Sequence, residues 1–204
     1  MSINPIKAVL FDFGGVLADE GFRAGLAYIA EQNRLDVKSV QDEGFRQVFE
    51  LGFVTGKIRE DLFWNKFRES LDIGGTDTEL TEIVLSRFTL RPWMLDIVSN
   101  LKNKGFVTGI LSDQTHWLSE MNEKHDFFPL FDYVFNSYYL GISKKNPAIF
   151  KRVLKKMNIN PEETIFIDDH PANIERAREQ GLHGILYKEK EIFIKDIHSY
   201  IPEI

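Results

Sequence analysis

The chain has 204 residues, enough for one domain of ordinary size or one with an inserted lobe. Lys plus Arg number 25 and Asp plus Glu 31, a formal net charge of −6 that argues against a nucleic-acid binder relying on a basic field. An apolar fraction of 43% with 17 Phe supplies a core that excludes disorder, and without cysteine there is no disulfide, thiolate metal site or sulfur nucleophile. No apolar run nears the roughly 18 residues of a membrane span, and the opening Met1-Ser2-Ile3-Asn4-Pro5 lacks a signal pattern. A cytoplasmic protein is therefore expected, without membrane or nucleic-acid partners. Its oligomeric state is left open.

Ala8-Val9-Leu10-Phe11 is an unbroken apolar run closed by Asp12 and Gly14-Gly15, the pattern of a parallel strand buried on both faces. Residues from 16 to 89 then show helical periods and no strand. Phe22, Leu26 and Ile29 mark one helix; Phe45, Val48 and Phe49 a second; Ile58, Leu62, Phe63 and Phe67 a third; Leu80, Ile83 and Val84 a fourth. Breaks fall near Asn33-Arg34, Gly52 to Gly56 and Gly74-Gly75. From Arg91-Pro92 the chain alternates strand and helix. Runs at Phe106 to Leu111, Tyr133 to Phe135, Thr164 to Ile167 and Gly184 to Tyr187 read as strands. Ile97 and Leu101, then Ile149 to Met157, then Ile174 and Ala177 mark helices, the first and last stopped by Gly105 and Gly181. The fold class is α/β: a Rossmann-like parallel sheet with helices on both faces, formed by residues 1–15 and 90–204, and an α-helical cap inserted at 16–89.

In an open parallel sheet, ligands collect beyond the carboxyl ends of the strands. The polar residues that close the apolar runs are Asp12, Ser112-Asp113 and Asp168-Asp169, with Lys144-Lys145 ahead of the helix after the third run. Converging carboxylates repel one another unless a cation lies between them, and carboxylate and carbonyl oxygens with water suit octahedral Mg²⁺. A metal, a lysine and a hydroxyl together form a receptor for a phosphoryl group.

These residues also carry a resemblance. The segment from Ala8 to Leu17, Leu111-Ser112, Lys144 ahead of Asn146-Pro147, and Phe166-Ile167-Asp168-Asp169 with Asn173 downstream are similar, in order and spacing, to the four motifs of the haloacid dehalogenase superfamily. The closest flavour is that of small sugar-phosphate phosphatases and the phosphatase domain of soluble epoxide hydrolases. The resemblance implies a Mg²⁺-dependent phosphatase of a small phosphorylated metabolite, with Asp12 attacking phosphorus to form an aspartyl-phosphate that water hydrolyses. It places Asp12 and Lys144 in catalysis and Ser112, Asp113 and Lys144 on the substrate. Mg²⁺ would lie on Asp12, the Gly14 carbonyl and the Asp168-Asp169 pair, with Asp169 favoured by counting back four residues from Asn173.

Gly14 departs from the pattern, since most such phosphatases carry a second aspartate there as general acid and base. Losing that assistance, typically worth ~10²–10⁴-fold, leaves two other readings: a metal-independent haloacid dehalogenase, or a low-turnover binder of phosphorylated ligands. Lys145 in place of the usual proline leaves either lysine able to point inward, with Lys144 fitting the spacing. His170 reads as a helix-start residue at the rim before it reads as a base. His116-Trp117 suits contact with substrate or cap as well as packing. Phe45, Phe49, Phe63, Trp64 and Phe67 read as core.

Overall fold

The computed structural model describes residues 5–204. Strand β1 (Ala8–Phe11) leads into an insert of four helices: α1 (Gly21–Gln32), α2 (Val37–Glu50), α3 (Glu60–Leu71) and α4 (Asp77–Leu85). Then follow α5 (Pro92–Asn103), β2 (Val107–Ser112), α6 (Trp117–His125), β3 (Tyr133–Asn136), the single turn α7 (Ser137–Leu140), α8 (Ala148–Met157), β4 (Thr164–Asp168), α9 (Pro171–Glu179), β5 (His183–Leu186) and α10 (Lys190–Tyr200). The sheet has five strands in the order β3-β2-β1-β4-β5, every pair parallel.

Strand side chains alternate between two cores. Val9, Phe11, Ile110, Ile165 and Ile167 pack with α5, α6, α10 and the insert. Ala8, Leu10, Leu111 and Phe166 pack on the other face with Ile149, Phe150 and Val153 of α8 and Ile174 and Ala177 of α9. Both faces are thus covered, which is why the strands read as continuous apolar runs. β1 is buried along its whole length between β2 and β4. The chain builds β2 and β3 on one side of it, then crosses to β4 on the other. A crevice opens at such a switch point, beyond the carboxyl end of β1.

The insert breaks where expected. Arg34 takes φ +57°, and Gly52 and Gly56 take +79° and +66° around a short 3₁₀ turn. Several boundaries differ from the sequence reading. Ile58 lies ahead of α3; β2 starts one residue later and includes Ser112; β4 includes Asp168; β5 is shifted one residue toward the N-terminus. α6 and α10 were not legible as helices. α6 is nine residues long with no side-chain cap, and α10 buries only Phe193 and Ile197 in a run, Ile192-Phe193-Ile194, that imitates a strand. Among the described residues no helix is long and apolar enough to cross a membrane.

Candidate active site

Asp12 follows directly on β1, and its backbone N–H still donates to Ile167 of β4, so the sheet register holds it at the crevice. Its Oδ1 accepts hydrogen bonds from the Phe13 amide and the Ser112 hydroxyl, both at 2.7 Å. Its Oδ2 lies 2.7 Å from the Lys144 ammonium, which also reaches Asp168 Oδ2 at 2.6 Å. Lys144 is 1% exposed, whereas Lys145 turns its ammonium onto the Phe49 ring at 3.5 Å. The inward lysine is therefore Lys144. Asp113 holds the loop that delivers it, accepting the Lys144 backbone N–H at 2.9 Å.

The Asp168-Asp169 pair divides its work. Asp168, wholly buried, takes the Lys144 ammonium, the His170 amide at 2.7 Å and both bonds from the Asn173 side-chain amide, at 3.1 and 3.2 Å. Counting from Asn173 therefore leads to a bond with Asp168. Asp169 makes no such bonds and stands exposed in the cleft. Gly15 makes room for it: a Cβ there would sit 2.2 Å from Asp169 Oδ2, and φ is +80°. Gly14 is different. Its backbone lies outside the left-handed region, and a Cβ would meet Phe88 no closer than 3.4 Å.

Oxygens of Asp12, Asp168 and Asp169 lie within 4.8 Å of one another. Within the cluster itself three carboxylates meet one ammonium, a local excess of 3 − 1 = 2 negative charges, while Arg23, Arg46, Lys145 and Arg176 line the same cleft. The titration of these groups reflects burial first and that excess second. Burial raises Asp12 well above the ordinary aspartate value; Lys144 draws it back only in part and Asp168 adds repulsion. Burial and then Asp168 raise Asp169 as well. Burial opposes the charge on Lys144, but Asp12, Asp168 and Asp113 outweigh it and hold the ammonium above the ordinary lysine value. A small all-oxygen set with two surplus charges fits a divalent cation such as Mg²⁺.

These residues open into a cleft of about 550 Å³. Gly14, Ser112, Asp113 and His170 line it, so every site residue expected from the sequence except the buried Asp168 is at its wall, and Asp168 lies behind Lys144. The far wall comes from the insert: Glu20 and Arg23 at the start of α1, and Phe45 and Phe49 one helical turn apart on α2. Phe63, Trp64 and Phe67 are core as expected, but Phe45 and Phe49 are half-buried cleft residues. Glu20, Arg23 and Gln114 were missed by the sequence reading. Glu20 left one signal, its place in the acidic pair Asp19-Glu20 that follows the buried run Val16-Leu17-Ala18.

His116 lies elsewhere. Its Nε2 is 3.1 Å from both Glu60 Oε2 of α3 and Glu120 Oε1 of α6, and its ring packs on Phe53 and Tyr138, so it joins insert to core. This triad lines a separate hollow of about 630 Å³.

The sequence profile of the haloacid dehalogenase-like hydrolases matches residues 6–181. D-Ribitol-5-phosphate phosphatase of Bacteroides thetaiotaomicron is 30% identical over 86% of this chain and 89% of its own. Acyl-CoA dehydrogenase family member 10 of Mus musculus is 27% identical over 96% of this chain, which spans only 19% of that protein. A family enzyme of Bacteroides thetaiotaomicron, solved in complex with magnesium and inorganic phosphate, superimposes with a TM-score of 0.73 at 26% identity, covering 93% of this chain and 98% of that one.

Proposed function

The chain belongs to the haloacid dehalogenase-like hydrolases, and from that premise we propose that it is a Mg²⁺-dependent phosphatase of a small phosphorylated metabolite, working through an aspartyl-phosphate on Asp12. The observation that carries this reading is the pairing of one buried ammonium, Lys144, with three clustered carboxylates. A metal-free dehalogenase has no use for two surplus negative charges beside its nucleophile. A phosphatase does, because the cation they hold screens a carboxylate from a dianionic ester. The phosphatase relative and the magnesium and phosphate complex of the structural neighbour favour the same reading.

In this account the Asp12 carboxylate attacks phosphorus while Ser112 and the Phe13 amide hold its other oxygen in line. Lys144 offsets charge on Asp12 and on the transferring group. Asp12, Asp169 and the Gly14 carbonyl would hold Mg²⁺, which lowers repulsion at the phosphoryl oxygens when bound. Asp168 positions Lys144, and Asp113 fixes its loop. The helices at 16–89 form a cap on the core at 1–15 and 90–204, with Phe45, Phe49 and Arg23 facing the part of the substrate beyond its phosphate. A screen of phosphorylated metabolites and of haloacids, each with Mg²⁺ and with excess chelator, tests the reading. Phosphate release that depends on Mg²⁺ is expected; halide release, or phosphate release unaffected by chelator, would overturn it.

A further inference from the structure

Gly14 removes a carboxylic acid from one edge of the cleft, where a side chain would meet Phe88 and Gln114, yet another carboxyl lines the same cleft. An isolated parallel bridge pairs Gly14 with Ala18, and two residues later Glu20 caps α1 and lines the cleft with Asp12, Ser112 and Asp169. Its Oε2 accepts the Arg23 amide at 2.7 Å, which fixes the side chain at the helix start, while Oε1 has no hydrogen bond to any described residue. The same carboxyl borders a small recess of about 70 Å³ walled by Phe22, Phe45, Val48, Phe49 and Trp117. Glu20 thus stands between the phosphoryl pocket and a recess that Asp113, Gln114 and Thr115 also line, with 34% of its side chain open to solvent.

We propose that Glu20 supplies the acid–base function that Gly14 cannot, a role that rests on the phosphatase reading above. As Asp12 forms its bond to phosphorus, the ester P–O bond breaks, its electron pair leaves on the departing oxygen, and Glu20 gives that oxygen its proton. Water then attacks phosphorus and passes a proton to the Glu20 carboxylate, and the Asp12–phosphorus bond breaks with its pair returning to the aspartate. The net change is ester plus water to alcohol plus phosphate. Burial raises the Glu20 carboxyl above the ordinary glutamate value, against the opposing pull of the Arg23 amide and guanidinium, and so increases the protonated fraction available for the first step. Lys144 cannot serve, since its proton is held by Asp12 and Asp168.

Glu20→Gln tests the proposal, because the amide oxygen still caps Arg23 while the acid is gone. kcat/KM is measured for p-nitrophenyl phosphate, whose leaving group needs no proton, and for ribitol 5-phosphate, whose alkoxide does. The variant should lose on the order of 10²-fold with ribitol 5-phosphate and less than about tenfold with the aryl ester. The falling alkaline limb of the ribitol 5-phosphate pH profile should also disappear. Equal losses on both esters, no loss on either, or a selective loss in His170→Gln instead would overturn the role of Glu20. So would a wild type that cleaves the aryl ester but no alkyl phosphate of the screen above. A wild type that releases phosphate from no ester in that screen refutes the phosphatase reading itself. Should Glu20→Gln not fold, Glu20→Asp, which keeps acid and cap but shortens the reach, must show the same selective loss.

Discussion

Asp12, Asp168 and Asp169 gather three carboxylates at the ends of β1 and β4, and Glu60, His116 and Glu120 gather two carboxylates and an imidazole between α3 and the start of α6. Both sets come within 4.8 Å, and the hollow beside the second is the larger, about 630 against 550 Å³. Size and clustering therefore do not tell a reactive site from a structural one; burial and charge balance do. At the first cluster two of the three acids are buried, two negative charges are left over, and Asp12 and Asp169 are raised. At the second, His116 is 26% exposed on its side chain and two glutamates share it. Burial works against Glu60, but bonds from His116 and Thr81 outweigh it and draw Glu60 down, and Glu60 in turn draws His116 up. Trp64 and Thr81 also hold Glu60 in place. That cluster is a strut between insert and core, in which His116 pairs through Nε2 while its Nδ1 is buried without a partner and burial raises Glu120.

The sharpest break in this contrast is Asp12→Asn. With a nearly isosteric amide and no anionic oxygen, turnover should fall on the order of 10⁴-fold or more, the scale of losing a covalent nucleophile, while the fold persists. Phosphate release and circular dichroism on one preparation check both halves. Lys144→Ala comes next. It strands Asp12 and Asp168 as buried carboxylates, so urea unfolding should show a loss of about 3–5 kcal/mol. Added Mg²⁺ should restore part of that loss.

Gly15→Ala probes the same cluster more gently. The added methyl must displace the Asp169 carboxyl and strains a backbone at φ +80°, so the Mg²⁺ concentration for half-maximal activity should rise about 10–100-fold, as when a ligand's support is removed. Gly14→Asp has the space that Gly15 lacks, and combined with Glu20→Gln it should recover alkyl-ester hydrolysis. The smallest effect belongs to the strut. The folded pKa of His116 lies above its unfolded value near 6.5, so its stabilisation is full below that pH and disappears as pH rises through the folded value. His116→Gln should cost under about 1 kcal/mol below pH 6.5, converge on wild type at higher pH, and leave the Mg²⁺ requirement untouched.

The contrast also explains what could be read from the chain alone. Asp12, Ser112 and Asp168-Asp169 were legible because each closes an apolar run, and parallel strands bring their carboxyl ends to one edge. Lys144 was legible from its spacing, and burial distinguishes it from Lys145. The neighbours Asp168 and Asp169 differ only in three dimensions, where β4 turns one inward to Lys144 and leaves the other in the cleft. Phe45 and Phe49 share the helical period of buried residues, and only the packing of α2 over the cleft sets them apart. Of the strut only His116 was legible, as a residue suited to contact with the cap; its partner was not, because Glu60 lies 56 positions away on a different element.

Trapping the covalent intermediate tests the central claim most directly. Enzyme mixed with Mg²⁺ and excess p-nitrophenyl phosphate is quenched in acid within the first turnover, digested and analysed by peptide mass spectrometry, in wild type and in Glu20→Gln, where hydrolysis of the intermediate should be slower. The account predicts one phosphoryl group per chain, on the peptide carrying Asp12, with nitrophenolate released ahead of phosphate. A phosphoryl group on another residue, or both products appearing together with no phosphopeptide in either protein, would contradict it.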